Sequence, residues 1–199
     1  MSDTIIYYYS HVSPWSFMGH APLAQLAAEM GCDIDYRPVS TRRIFPKTGG
    51  VPVAQRPPER QAYRMTELRR WSRKRGVPLN LEPRHFPTDD QPAARLALTA
   101  KAEGHDIAAL SGALMRACWI EERQLADEET LAAIADSVGL DGSALLAASK
   151  EDKAEALLHQ SCEQALADGC FGVPWYIYRD EPYWGQDRLE LLREALASG

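Results

Sequence analysis

The apolar residues near the start of the chain follow two different periods. Ile5–Tyr9 is a run of β-branched and aromatic residues, which is typical of a half-buried strand. Phe17–Met30 has apolar residues at helical spacing, and Asp33–Val39 alternates as a second strand does. Because parallel strands are joined by a right-handed crossover, this order predicts two adjacent parallel strands with the helix packed on one face.

A short turn that carries a Ser-Pro pair joins the first strand to this helix. Pro14 suits the first helical position, where its φ is already helical and its missing N–H loses no hydrogen bond, so Ser13 occupies the N-cap. Free N–H groups and the helix dipole allow such a turn to stabilise an anion, for example a thiolate. The alternative is that Ser13 only caps the helix.

The next two segments differ: the first is rich in helix-breaking residues, and the second has a long helical pattern. Between Ser40 and Pro58 there are many prolines and glycines, so the sequence predicts a long loop that serves as a lid or pocket wall. Glu59–Arg75 is then predicted to be a helix with Tyr63, Leu68 and Trp71 on one side.

Further helical patterns follow as far as Gly169, and no convincing strand interrupts them. Helices are predicted over 92–102, 106–120, 127–139, from 141 onward and over 150–168. This block has the size and composition of an inserted domain. We therefore expect one unit built from residues 1–58 and 170–199, with a helical insertion at 59–169.

The chain ends with a predicted hairpin and a helix. Trp175–Tyr178 is a β-rich run, Arg179–Pro182 has turn residues, and a second short strand, Tyr183–Trp184, follows. Asp187–Ala197 has leucines at helical spacing, which predicts a last amphipathic helix. The order is β-α-β, helical block, β-β-α.

Charge and cysteine content exclude several classes of protein. A net charge of −6 argues against nucleic-acid binding, and no apolar run reaches the ~18 residues needed to span a bilayer. No export signal is evident, so we expect a cytoplasmic protein. The four cysteines have neither Cys-x-x-Cys nor zinc spacing, so we predict no catalytic thiol and no metal. We interpret Cys170, close to Pro174, as a small buried residue.

The arrangement of these units resembles the thioredoxin superfamily. That resemblance implies an α/β, thioredoxin-like fold with a large all-helical insertion and an active-site turn after the first strand. It also implies that Val173-Pro174 is a cis peptide bond facing this turn.

Several motifs resemble one branch, the 2-hydroxychromene-2-carboxylate isomerases, which are relatives of the kappa-class glutathione transferases. The similarity runs nearly end to end. The motifs are Tyr9–Ser16, Ile44–Gly49, Tyr63 with Leu68 and Arg70-Trp71, Cys118-Trp119, Phe171–Pro174 and Trp184–Leu189.

The resemblance implies a glutathione site around Ser13. A serine in place of the redox cysteine hydrogen-bonds the glutathione sulfur, and the main chain of Val173 meets the cysteinyl part. The γ-glutamyl end is bound by Trp184, Gly185, Gln186, Asp187 and Arg188. Gln186 and Asp187 at a helix start suit this role, because N–H groups bind a carboxylate and the Asp187 side chain binds an ammonium. The alternative for Asp187 is helix capping alone.

Two departures from the family pattern lie at the substrate end. Arg60 stands where the family usually has a lysine, and Gly50 stands where an asparagine is usual. Arginine keeps the charge but not the geometry of lysine. The substrate pocket implied by the resemblance includes Phe45, Arg60 and Tyr63.

These features imply a glutathione-dependent isomerase that acts on a small aromatic ring-cleavage product by reversible thiolate addition. We also expect a homodimer. A second hypothesis is a kappa-like glutathione transferase or peroxidase that uses Ser13 for conjugation. A third is a non-enzymatic thioredoxin-fold binding or chaperone-like protein, which the presence of Ser13, Val173 and Trp184–Arg188 disfavours.

Overall fold

A four-stranded sheet is the centre of the structure, a computed structural model that describes residues 3–198. Its strands lie in the order β2-β1-β3-β4. They are β1 (Thr4–Tyr9), β2 (Asp33–Pro38), β3 (Trp175–Tyr178) and β4 (Glu181–Trp184). The α-helices are α1 (Pro14–Met30), α2 (Thr41–Thr48), α3 (Pro58–Arg75), α4 (Gln91–Ala102), α5 (Ala108–Trp119), α6 (Glu128–Ser137), α7 (Gly142–Ala148), α8 (Asp152–Ala167) and α9 (Leu189–Ala197).

The predicted β-α-β unit is confirmed. β1 and β2 are parallel, with Thr4 opposite Asp33 and Tyr9 opposite Pro38, and α1 connects them. α1 begins at Pro14 and ends at Gly31, whose φ of 68° is the left-handed conformation that glycine adopts without strain. The two strand patterns and the helical spacing between them were sufficient to predict this unit.

The loop predicted between Ser40 and Pro58 is wrong in part. This segment contains α2 and a 3-10 turn at Val53–Gln55. Pro46 lies inside α2, where it removes a single hydrogen bond from a short helix. The Asp90 carboxylate, from another part of the chain, accepts a hydrogen bond from the main-chain N–H of Thr41 at 2.8 Å and so caps the helix.

From α3 to α8 the described chain is helical or irregular, as predicted. In α3, Leu68 is fully buried and Trp71 is half-buried, but Tyr63 is 61% exposed, so its predicted place on the apolar side is wrong. Tyr63 and Leu68 are five positions apart, which is about 140° around a helix. The domain boundaries at 58 and 169 stay a prediction.

The helical block packs directly over the N-terminal end of α1. One apolar cluster joins Val12 and Met18, from the first turn and α1, to Leu96, Leu110 and Trp119 of α4 and α5. The residues that flank Ser13 are therefore covered by the block. This packing places helices from the middle of the chain beside a turn at its start.

The C-terminal hairpin is confirmed with shifted boundaries. Its turn is the two residues Arg179 and Asp180, with φ of 49° and 64°, the conformation of a tight hairpin turn. Pro182, predicted in the turn, lies in β4 opposite Ile177. β4 is an edge strand, where a missing N–H is tolerated. The last helix is preceded by a 3-10 turn at Gln186–Arg188.

The fold is thus a mixed α/β, thioredoxin-like fold with mainly helical content. Among residues 3–198, none of the helices combines the length and apolar character that crossing a bilayer requires.

Candidate active site

Ser13 caps α1 as the sequence predicts. Its Oγ accepts a hydrogen bond from the Ser16 main-chain N–H at 3.2 Å, and its side chain is nearly buried. Pro14 has no N–H, and the N–H of Trp15 at the second helical position has no acceptor within the helix. The hydroxyl that accepts from Ser16 keeps its own proton for donation to a ligand. The turn therefore presents an O–H donor at the positive end of a helix.

Val173-Pro174 is a cis peptide bond, as predicted. β3 runs antiparallel to β1 with Tyr8 opposite Trp175, so the residues before β3 lie beside the residues after β1. Val173 is nearly buried, and its main-chain N–H and C=O make no hydrogen bond with another described residue. Buried main-chain groups are nearly always paired, so this pair is suited to an extended peptide ligand.

The Trp184–Arg188 segment lies against the cis-proline loop. The Gly185 N–H donates to the Pro174 carbonyl at 2.9 Å. The Gln186 side chain is buried, and its Oε1 accepts from Arg75 Nε at 2.8 Å, so it contacts α3. Asp187 Oδ2 accepts from Arg188 Nη1 at 2.7 Å. No side chain caps the 3-10 turn or the N-terminus of α9, so the capping alternative for Asp187 is wrong.

Two exposed aromatic side chains border this loop. Trp184 is 52% exposed and packs edge-on against Phe171, with ring centroids 4.6 Å apart. A Cβ added to Gly172 would lie 2.9 Å from Trp184 Nε1, so only glycine allows this approach. The glycine in the Phe171–Pro174 motif therefore places the indole ring beside Val173.

The predicted substrate residues are more scattered. Phe45 lies on α2, half-buried, and its ring covers Gly50, where a Cβ would lie 2.4 Å from Phe45 Cδ1. Arg60 and Tyr63 lie in the first turns of α3 and are exposed. The structure brings Ser13, Val173 and the Trp184–Arg188 segment to one end of the sheet.

His11, which the sequence analysis did not select, is fully buried beside the turn. Its Nε2 lies 3.3 Å from Ser111 Oγ, which also lies 2.6 Å from Tyr9 Oη. Nδ1 of His11 has no partner. Burial, reinforced by His20, lowers the pKa of His11 to about 3, so the imidazole is neutral near pH 7. Because the His11 ring is neutral, it adds no positive charge at the Ser13 turn.

Asp90 is a second residue that the sequence analysis did not select. It is 1% exposed, and its carboxylate accepts from Ser10 Oγ at 3.0 Å, Ser40 Oγ at 2.6 Å and both the N–H and the hydroxyl of Thr41. Four donors from two distant segments thus converge on one carboxylate. No local pattern could reveal this, because the donors lie 49 to 80 positions away in sequence.

None of the four cysteines lies in the Ser13 turn itself. All four are free thiols, and Cys170 is buried with its Sγ 3.5 Å from the Gly172 carbonyl. Burial raises the pKa of Cys170 to about 12, which makes it a poor nucleophile. Within residues 3–198, no three His, Cys, Asp or Glu side chains are arranged to hold a metal ion.

Comparison with known proteins decides the family. Residues 4–197 match the model of the DSBA-like thioredoxin domain. A 2-hydroxychromene-2-carboxylate isomerase from Sphingobium xenophagum is 30% identical over 98% of this chain and 99% of that protein. The chain belongs to the 2-hydroxychromene-2-carboxylate isomerase family of DSBA-like thioredoxin domains.

Other members agree with this assignment. An isomerase of the same name from Pseudomonas putida is 26% identical over 96% of this chain and 92% of its own length. The solved structure of a 2-hydroxychromene-2-carboxylate isomerase has a TM-score of 0.84 and 26% identity, covering 98% of this chain and 95% of that one. Membership of this family supports an isomerase function for the chain.

Proposed function

We propose that this family member is a glutathione-dependent isomerase of an aromatic ring-cleavage product such as 2-hydroxychromene-2-carboxylate. The observation that carries the proposal is the Ser13 hydroxyl at the N-terminus of α1, beside the cis Val173-Pro174 bond. A serine there cannot form a mixed disulfide, but it can stabilise a thiolate that belongs to a cofactor.

The residues around Ser13 fit glutathione. The unpaired N–H and C=O of Val173 suit the cysteinyl peptide unit, which has one donor and one acceptor of its own. Asp187, which is partly exposed, suits the ammonium of the γ-glutamyl group. Arg188 lies next to it, and its guanidinium suits the neighbouring carboxylate.

In this proposal the chain itself orients the reactants and holds the charge. The chemistry that bound glutathione would supply is a thiolate that adds reversibly to the substrate, so that a bond rotates or a hemiketal ring opens before release. Ser13 Oγ donates to the sulfur, and the α1 N-terminus favours its negative charge. His11 stays neutral, so it neither pairs with the sulfur nor protonates it near pH 7.

Product analysis with 2-hydroxychromene-2-carboxylate and glutathione tests the proposal. We expect an isomer of the substrate with glutathione unconsumed. A glutathione adduct would instead support the kappa-like transferase. Calorimetry without substrate tests glutathione binding separately, and an insulin-reduction assay should show no dithiol activity, because the turn has Ser13 and Ser16 where two cysteines are required.

A homodimer and a cytoplasmic location complete the proposal. Light scattering of the purified protein tests the first, and fractionation of the source cells tests the second. Both are independent of the chemistry at Ser13.

A further inference from the structure

The arginines in the described part of the chain form two groups, those that pair with an acidic side chain and those that do not. Most of the half-buried ones are paired, such as Arg37 with Asp35 at 2.6 Å and Arg43 with Glu155 at 2.6 Å. Arg75 is held by Gln186. Within residues 3–198, Arg56 and Arg64 are the half-buried arginines that no acidic group or side-chain oxygen contacts.

Arg64 is the more unusual of the two. Its guanidinium carbon lies 5.6 Å from the centroid of the Phe86 ring, and among residues 3–198 its only hydrogen-bond acceptor is the sulfur of Met65 at 3.8 Å. Burial, and the nearby charge of Arg56, lower the pKa of Arg64 to about 10, so it stays charged at neutral pH. A partly desolvated cation without an anion is unfavourable for folding. The position of Arg64 is therefore not explained by stability, and a ligand that supplies the anion would explain it.

Arg56 lies just before α3 and is fixed there by contacts with main-chain carbonyl groups. Its Nε donates to the Val51 carbonyl at 2.8 Å, and Gln61 Nε2 donates to the Arg56 carbonyl at 2.8 Å. Burial and the charge of Arg60 lower the pKa of Arg56. The terminal nitrogens of Arg56 have no acceptor among residues 3–198, so a second guanidinium without a counter-charge lies on the segment that leads into α3.

The surface beneath Arg64 is aromatic. The Phe86 ring packs against Trp119, with centroids 4.9 Å apart, in the apolar cluster that contains Val12 and Trp15. Val12 and Trp15 flank the Ser13-Pro14 pair. The Arg64 guanidinium therefore lies over an aromatic surface that continues to the Ser13 turn.

We propose that Arg64 and Arg56 bind the carboxylate of an aromatic carboxylic acid whose ring packs on Phe86. A planar carboxylate matches the guanidinium fork, and it supplies the negative charge that both arginines lack. The inference deepens the proposed function, because it assigns the acidic end of the substrate to residues outside the glutathione site. It also makes the negative charge of the substrate, rather than its ring alone, the basis of selection.

Direct binding tests this without turnover or glutathione. Calorimetry measures the affinity of 2-hydroxycinnamate, an aromatic carboxylate, and of its neutral amide. We expect the carboxylate to bind the wild-type protein at least about tenfold more tightly than the amide. Arg64→Gln should remove that preference, Arg64→Lys should keep part of it, and Arg56→Gln should reduce it.

The matched control is Arg73→Gln, which removes the same charge from an exposed position of α3. It should leave both affinities unchanged. Equal binding of carboxylate and amide by the wild type, or an unchanged preference in both Arg64→Gln and Arg56→Gln, would overturn the inference. Equal competition by inorganic phosphate would also overturn it, because the site would then select any anion. Carboxylate preference without isomerase activity would uphold the inference and refute the proposed function.

Discussion

Two charged side chains with little exposure, Asp90 and Arg64, differ in how many hydrogen-bond partners they have. The Asp90 carboxylate is almost inaccessible and accepts four hydrogen bonds from Ser10, Ser40 and Thr41. The Arg64 guanidinium is half-buried, and its one acceptor in the described part of the chain is a thioether sulfur. A charge whose hydrogen bonds are all made stabilises the fold, whereas one left without partners is available to a ligand. The number of hydrogen bonds that each charged group makes thus distinguishes the structural role of Asp90 from the ligand-binding role proposed for Arg64.

Asp90→Ala should have the largest effect on stability. Without the carboxylate, Ser10, Ser40 and the N–H of Thr41 are left as buried donors, and each unsatisfied donor is worth about 1 to 3 kcal/mol. We expect the free energy of unfolding in urea to fall by roughly 3 kcal/mol or more. Asp89→Ala is the control, because Asp89 is more exposed and lies 3.7 Å from Arg42. Similar losses in both variants would contradict the comparison.

Ser13→Ala should have the next largest effect, and on catalysis more than on binding. A hydrogen bond to a charged group is worth about 1.5 to 3 kcal/mol, so kcat/KM should fall roughly tenfold to a hundredfold. Calorimetry should show a smaller loss of glutathione affinity, because binding is spread over other contacts.

The control for Ser13 is Ser16→Ala. Ser16 is buried in the same turn, but its hydroxyl has no hydrogen-bond partner. Its removal should leave kcat/KM close to the wild-type value. Wild-type rates for both variants would reduce Ser13 to a helix cap.

His11 should make the protein sensitive to acid. Its pKa is about 3 in the folded protein against an ordinary 6.5, so the unfolded chain takes up the proton first as the pH falls. Stability is therefore full above about pH 6.5 and is lost toward pH 3, by about 1.4 kcal/mol for each pH unit within that window.

Urea titrations across that range test the role of His11 in this pH dependence. His11→Gln should flatten the dependence, whereas His105→Gln, at an exposed position, should not. Because burial also lowers the pKa of His20, part of the slope should remain. An unaltered slope in His11→Gln would exclude this histidine as its source.

Arg64→Met should have the smallest effect, with the opposite sign to Asp90→Ala. Methionine keeps the packing on Phe86 and removes an unpaired charge, so the ligand-free protein should be unchanged or more stable by up to about 1 kcal/mol. Thermal unfolding compares it with Arg73→Met, which should be neutral. A clear loss of stability would mean that Arg64 has a structural role.

Local patterns predicted the parts of the fold that depend on neighbouring residues. The strand Ile5–Tyr9, the Ser13 cap and the helix after Pro14 are all recognised from a few consecutive positions. The cis bond at Val173-Pro174 came from the resemblance to the thioredoxin superfamily. The strand, the cap and the start of the helix are recognised from adjacent residues, whereas the cis bond was implied by the arrangement of the whole chain.

One error of the sequence-based prediction lies where a distant residue determines the local structure. α2 was predicted to be a loop because its prolines are local signals, but its cap comes from Asp90, 49 positions later. The error at Tyr63 is different, because its spacing of five residues from Leu68 already turns it about 140° away from the apolar side of α3.

By itself the sequence determined the four strands, most of the helices and the Ser-Pro turn, because each rests on periodicity or on adjacent residues, and its motifs carried the family resemblance. Only the tertiary structure decided that Asp90 is saturated with donors while Arg56 and Arg64 have no anion. The physical reason is that burial and hydrogen-bond partners depend on segments that meet in space, and their sequence separation carries no sign of that meeting.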